Sequence, residues 1–232
     1  MIYSVAKPIA RGLLRVVWRA RIVGEENIPA GGAAILASNH LAVADTWVMP
    51  ALIRRPVHFL AKDELFDRRR FSTRVLGAFL RAVKVMPMNR AGGNASRASL
   101  DTGLAVLADG GLLGIYPEGS RSPDGRLYRG KTGVARLAVA AGCPIVPIAM
   151  LGTYEAQRGR RFFPRLSPRM TVVVGAPIDP ASVADATGSE RDGIRIRAVT
   201  DAIMRGIAEL SGQERADEYA ADAKKRLSQR AD

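Results

Sequence analysis

The chain has 232 residues, 47% of them hydrophobic, which is enough for one α/β domain with its own core and too apolar for a disordered chain. Its formal net charge of +13, carried by 29 Arg and 6 Lys, points to an anionic partner: nucleic acid, anionic lipid or a phosphorylated substrate. A single cysteine, Cys143, excludes an internal disulfide framework, and no apolar run approaches the roughly 20 residues that cross a bilayer.

Residues 1–21 read as an amphipathic helix. Lys7, Arg11, Arg15 and Arg19 recur every four residues and form one drifting stripe, while Ile2, Val5, Ile9, Leu13, Val16 and Val17 fall opposite. The segment has no acid, and Trp18 lies at the edge of the stripe. The pattern predicts a helix lying in an anionic membrane surface, with Ile2, Ile9, Leu13 and Val16 inserted and the cations toward the headgroups. The alternative is an apolar face packed on the domain. No signal-peptide pattern is present.

The next segments alternate between strand and helix signals. Arg21–Gly24 reads as a short strand, and residues 25–29 as a turn. The apolar run Ala33–Ala37 reads as a buried strand that stops at Ser38-Asn39, and a helical pattern starts near Asp45 and runs through Trp47, Val48, Leu52 and Ile53. Val57–Ala61 is strand-like and ends at Lys62; His58 within it reads as a packed residue. Arg68, Arg69, Arg70 and Arg74 ring the start of a helix carrying Phe71, Val75, Leu76, Phe79 and Leu80. Residues 83–87 read as a strand ending in Met88-Asn89-Arg90. Asn94 is a cap for a helix over 95–107. Leu112–Tyr116 is a strand that runs into the loop Pro117-Glu118-Gly119-Ser120-Arg121-Ser122, and a helix opens at Lys131-Thr132-Gly133. Residues 144–148 are a further strand, with Cys143 as inert packing. A basic loop spans 151–168, a last strand covers 170–174, and a helix buries Ile196, Val199, Ile203, Ile207 and Leu210. The polar residues 213–232 read as a tail and as the least ordered stretch. The expected division is thus a surface helix over 1–21, an α/β domain over 22–212 with a largely parallel sheet covered on both faces, and the tail.

In a parallel sheet the carboxyl ends of strands lie along one edge, where α/β folds present reactive side chains. Three such ends carry polar groups here: Asn39-His40, Asn89-Arg90 and Glu118–Arg121. A carboxylate at Asp45, at the start of a helix, stays ionised and can hold one imidazole nitrogen of His40 protonated, leaving the other as a base. No second His stands at metal spacing, so neither a metal nor another cofactor is expected. No nucleophile-elbow motif is present.

Four motifs in order resemble the glycerolipid acyltransferases, which include the lysophosphatidate acyltransferases. Asn39-His40 through Asp45 matches the NHx4D motif, and Pro87–Arg90 a Pro-x-x-Arg element. Tyr116–Ser122 matches [FY]PEG[ST]RS, and Pro144–Pro147 an apolar strand with two prolines. The resemblance covers roughly residues 20–175. It implies that His40, oriented by Asp45, deprotonates an acceptor hydroxyl that attacks the thioester of acyl-CoA or acyl carrier protein. It also implies that Arg90 grips the acceptor's phosphate and that Glu118, Gly119 and Arg121 position the glycerol phosphate. Asn39, Ser120 and Lys62 are further candidate substrate contacts. The implied acceptor is lysophosphatidate and the product phosphatidate, for phospholipid biosynthesis. Rival acceptors are another lysophospholipid, an aminolipid or a glycolipid. A nucleic-acid-binding protein is a remote alternative, without aromatic platforms or a recognition-helix motif to support it. The longer hydrophobic N-terminal segments of many relatives have no counterpart here, so the expected location is peripheral, at the cytoplasmic face of the cell membrane.

Overall fold

The computed structural model describes residues 2–62, 85–88, 93–158, 164–166 and 168–229. The arginine cluster at 68–74, the apolar residues beside it, Asn89, Arg90, Arg160 and Arg161 lie outside the described residues. The elements in chain order are α1 (Ile2–Val17), β1 (Arg21–Val23), β2 (Ala34–Ser38), α2 (Asp45–Leu52), β3 (Val57–Lys62), β4 (Val85–Met88), α3 (Gly93–Ala108), β5 (Leu112–Ile115), α4 (Gly133–Ala141), β6 (Ile145–Leu151), α5 (Thr153–Ala156), β7 (Thr171–Val174), α6 (Pro180–Asp185), α7 (Asp192–Ser211) and α8 (Ala220–Gln229).

Among the described residues, seven strands form one sheet in the order β1-β7-β6-β2-β5-β3-β4. All neighbouring pairs run parallel except β6 with β7, where Ile148 faces Val174 and Leu151 faces Thr171. The centre is β2, buried at every residue and flanked by β5 and β6. Its side chains alternate between two cores, as the two-residue period of a strand requires. Ala34 and Leu36 enter a core with Leu14, Val48, Met49, Leu52 and Val146, which places α1 and α2 on that face. Ile35 and Ala37 enter the other, with Val106, Leu137, Val199, Ile203 and Ile207, which places α3, α4 and α7 opposite. The expected fold class, a largely parallel sheet with helices on both faces, is the one observed. Close approach sets one detail of it: a Cβ on Gly206 of α7 would lie 3.2 Å from Pro147, so the glycine lets the helix lie against β6.

Several local readings change. Helix α1 faces its apolar stripe outward, the side the membrane reading has inserted, but seats two of its four cations, Lys7 and Arg11, on the domain. Lys7 Nζ donates to the carbonyls of Arg54 and Arg55 at 2.9 and 3.2 Å, Arg11 pairs with Glu25 at 3.6 Å, and Leu14 is buried. Burial, with Arg11 nearby, lowers the Lys7 ammonium to about 8. The outward stripe is apolar: Ile9 is 67% exposed, Leu13 58% and Val16 80%. Only Arg15 and Arg19 of the four-residue series remain exposed. The basic loop after β6 contains the helical turn α5, where Arg158 lies over the Tyr154 ring at 4.9 Å. Asn94 falls inside α3, not before it. Asp179 caps α6 by accepting from the N–H groups of Ala181 and Ser182, a helix the hydrophobic pattern did not reveal.

The C-terminal segment, read from its polarity as the least ordered stretch, is docked. Leu127 N–H donates to Glu214 O at 2.9 Å, Ala216 N–H to Leu127 O at 2.8 Å, and Arg129 N–H to Glu218 O at 2.9 Å. Ala220 and Ala223 of α8 are buried against Tyr128. Backbone pairing and two alanines hold it, so a hydropathy pattern carries no trace of the contact.

Candidate active site

Strand β2 ends at Ser38, and His40 follows two residues later, beside the C-terminal end of the neighbouring β5. The chain then turns through Leu41–Ala44 and enters α2 at Asp45. Asp45 is completely buried, and its Oδ2 accepts from three N–H groups. They are the backbone of Leu41 at 2.6 Å, the backbone of Ala42 at 2.8 Å, and His40 Nδ1 at 3.0 Å. A carboxylate only accepts, so Nδ1 carries the imidazole proton and Nε2 keeps its lone pair. The Tyr116 ring stacks on His40 with centroids 3.9 Å apart and planes at 13°, and Phe59 lies behind Tyr116 at 5.9 Å. The imidazole is thereby held by a hydrogen bond along one edge and an aromatic face along its plane. Burial, with the Asp45 charge nearby, pushes the Tyr116 phenol well above its ordinary value, so it stays neutral.

The loop after β5 braces this turn. Glu118, 1% exposed, accepts His40 N–H on Oε1 at 3.0 Å and Tyr128 N–H on Oε2 at 2.9 Å. Ser122 N–H donates to His40 O at 2.7 Å. Glu118 therefore grips both sides of the loop rather than reaching out to a substrate. Burial raises its carboxyl from 4.5 to about 7 against the pull of the two backbone donors. Asn39 is likewise fully buried and spent internally. Its Nδ2 donates to Met150 O at 3.1 Å and Gln213 Oε1 at 2.7 Å, and its Oδ1 accepts Met150 N–H at 2.7 Å. Both residues, read from the sequence as substrate contacts, hold the backbone that presents His40.

The remaining candidates divide. Gly119 has φ +71°, the left-handed conformation that suits glycine, and lies under the Lys131 side chain. Ser120 Oγ is buried with no hydrogen-bond partner among the described residues, and Arg121 is exposed. Lys62 ends β3, with its backbone paired to Met88 of β4. Arg90 lies outside the described residues; among the described candidates the structure brings together His40, Asp45 and the Glu118–Arg121 loop. Cys143 is buried, and burial raises its thiol, as expected of inert packing. Among the described residues, no three His, Cys, Asp or Glu side chains come together to hold a metal ion.

Two residues escaped the sequence reading. Gln157 Oε1 accepts Ala44 N–H at 2.8 Å, fixing the turn before Asp45 from 113 residues away. Gln213 donates from Nε2 to Gly125 O at 2.6 Å while accepting from Asn39, so it ties the end of α7 to both motif loops. Neither lies in a motif, and no local signal marks them.

A family model described as Acyltransferase matches residues 19–151, which span β1 through β6 and hold the whole His40–Asp45–Glu118 arrangement. The chain belongs to the acyltransferase family. An acyltransferase needs a base to deprotonate its acceptor, and the free Nε2 of His40 is suited to that task. A 1-acyl-sn-glycerol-3-phosphate acyltransferase of Bacillus subtilis is 28% identical over 195 residues, covering 83% of this chain and 88% of that protein. A chloroplastic enzyme of the same name from Brassica napus is 28% identical over 137 residues, 59% of this chain and 38% of the longer plant protein. The crystal structure of the 1-acyl-sn-glycerophosphate acyltransferase PlsC from Thermotoga maritima shares the fold of this acyltransferase. The TM-score is 0.64 at 24% identity, over 90% of this chain and 80% of that one.

Proposed function

We propose that this acyltransferase moves a fatty acyl group from acyl-CoA or acyl carrier protein to the free hydroxyl of lysophosphatidate, giving phosphatidate for phospholipid biosynthesis. The observation that carries the reading is a base with its proton fixed on the far nitrogen: His40 Nδ1–H donates to the buried Asp45. The names of the Bacillus and Brassica relatives support the acceptor.

The acceptor hydroxyl oxygen attacks the thioester carbonyl carbon while its proton passes to Nε2. Asp45 steadies the imidazolium that forms, because its Oδ2 accepts the Nδ1 hydrogen bond at 3.0 Å as a charge-assisted contact. The tetrahedral intermediate collapses, the C–S bond breaks, and the leaving thiolate takes the proton back from Nε2. A thioester is already activated, so direct transfer proceeds without a covalent enzyme intermediate. Gly119 and the Arg121 guanidinium position the acceptor's phosphate, and Arg90 is assigned the same charge-assisted role by its motif. Glu118 and Asn39 act through the backbone as positioning residues.

Helix α1 is the membrane contact in this reading, through the exposed stripe Ile9, Leu13 and Val16, with Arg15 and Arg19 beside it. Among the described residues no helix is long and apolar enough to cross a membrane. The attachment we propose is peripheral, at the cytoplasmic face. The test of function is an acyl-transfer assay of the purified protein, with acyl-CoA and acyl carrier protein as donors. Its acceptors are lysophosphatidate, other lysophospholipids, aminolipids and glycolipids. Preference for lysophosphatidate supports the reading, and preference for an acceptor without a phosphate monoester overturns it.

A further inference from the structure

We infer that the C-terminal helix completes the phosphate site: Lys224 of α8 and Lys131 join Arg121 around Gly119-Ser120 to bind the phosphate monoester of the acceptor. The inference rests on the proposal that the acceptor is lysophosphatidate.

Lys131 is placed by the loop it serves. Its N–H donates to Pro117 O at 2.8 Å, and its Cδ, Cε and Nζ lie 3.2–3.3 Å from the position a Cβ would take on Gly119. A Cβ at 119 would press the end of the Lys131 side chain by a few tenths of an ångström, and the φ of +71° favours glycine there. Lys224 arrives from the docked C-terminal segment. Ala220 and Ala223 are buried on Tyr128, whose N–H is held by Glu118. Lys224 stands four residues after Ala220 and next to Ala223, on the same side of α8. It is half-buried, and it senses the charges of both Arg121 and Glu118.

Gathering three cations costs free energy unless an anion neutralises them. Arg121, Lys131 and Lys224 make no salt bridge among the described residues. Buried polar atoms are normally hydrogen-bonded, yet the Ser120 hydroxyl between Gly119 and Arg121 is buried and has no partner among the described residues. An orphan hydroxyl amid three cations that have no salt-bridge partner among the described residues suits a ligand with about two negative charges and several acceptor oxygens, which describes a phosphate monoester. The Lys224 contribution comes from beyond residues 19–151, the span of the family match.

The test uses the full-length protein and the variants Lys131→Met, Lys224→Met and Lys224→Arg; Met keeps the aliphatic stem. Steady-state kinetics are measured with lysophosphatidate and with a neutral monoacylglycerol at a fixed acyl donor. Each Met variant should raise the KM for lysophosphatidate about tenfold or more, the loss of one charged hydrogen bond, and well beyond any rise for monoacylglycerol. The donor KM should move little, and Lys224→Arg should recover most of the loss. Unchanged lysophosphatidate KM in both Met variants of an enzyme that uses lysophosphatidate overturns the inference and leaves the acceptor proposal standing. A wild type that prefers the neutral acceptor overturns both. A rise in donor KM instead places the cations on the donor and also overturns it. Should a Met variant melt early, inorganic phosphate decides. It should raise the melting midpoint of wild type and Lys224→Arg but not of either Met variant, and an equal rise in all four overturns the inference.

Discussion

Glu118→Gln tests how the site is built. The wild-type carboxylate offers an acceptor at each end, to His40 N–H at 3.0 Å and Tyr128 N–H at 2.9 Å. A glutamine amide has one oxygen and one NH2, so whichever way it sits, one backbone N–H faces another donor. Leaving a buried donor unsatisfied costs about 1–3 kcal/mol. For a chain of this size that lowers the melting midpoint by roughly 2–4 °C per kcal/mol. If the amide faces His40 the base is displaced directly; if it faces Tyr128 the brace on the loop loosens. In either case kcat should fall by about tenfold or more. The pH profile supplies a second readout. Burial moves Glu118 from 4.5 to about 7, so between those values the unfolded chain ionises this group while the folded chain keeps it protonated. The folded state binds the extra proton, and the Glu118 contribution to stability rises as pH falls from 7 to 4.5. The displacement corresponds to roughly 3 kcal/mol across the window. The Gln variant should lose this slope. The measurements are acyl-transfer kinetics and denaturant unfolding at pH 5 and pH 8. A Gln variant with wild-type kcat, midpoint and pH slope would refute the bracing role.

Asp45→Asn should lower kcat by about 10²–10⁴-fold while the protein stays folded, because the neutral amide can no longer stabilise the imidazolium; folded protein with near-normal kcat counts against the dyad. Replacing Ile9, Leu13 and Val16 by Ser should weaken vesicle co-sedimentation by roughly 10²-fold or more, since each apolar side chain contributes about 1.5–3 kcal/mol when fully buried. That loss should persist at high salt, whereas Arg15→Glu with Arg19→Glu should weaken binding mainly at low salt; equal binding by the Ser variant places the membrane contact elsewhere. Gly152→Ala should destabilise the protein markedly in thermal unfolding, because its φ is +81° and a Cβ would lie 2.0 Å from Arg169 O.

The fold and the pairing of His40 with Asp45 at a strand end were legible in the sequence because local patterns encode them. The buried run ending at Ser38 marked the central strand, the helical pattern from Asp45 marked α2, and both put His40 at a strand end. What Asn39 and Glu118 do was not legible. A motif shows which side chain is present but not whether it faces a substrate or its own backbone. Their partners lie 111 and 174 residues away for Asn39 and 78 for Glu118. The inward placement of Lys7 and Arg11 on α1 was not legible for a related reason. A helical projection separates two faces without saying which one meets the protein, and the carbonyls of Arg54 and Arg55 settle it by taking the Lys7 ammonium. The docked C-terminal segment is held mainly by backbone bonds to Leu127 and Arg129, which no side-chain pattern records.

The central claim is that His40 is the base of acyl transfer, and single-turnover acyl transfer by His40→Ala with lysophosphatidate and acyl-CoA tests it most directly. The variant should keep the wild-type melting midpoint, since among the described residues the ring makes only the Asp45 hydrogen bond and the Tyr116 stack. Its rate should fall by about 10²–10⁴-fold at every pH from 6 to 9. A folded His40→Ala protein that transfers the acyl group at a rate near wild type would contradict the account.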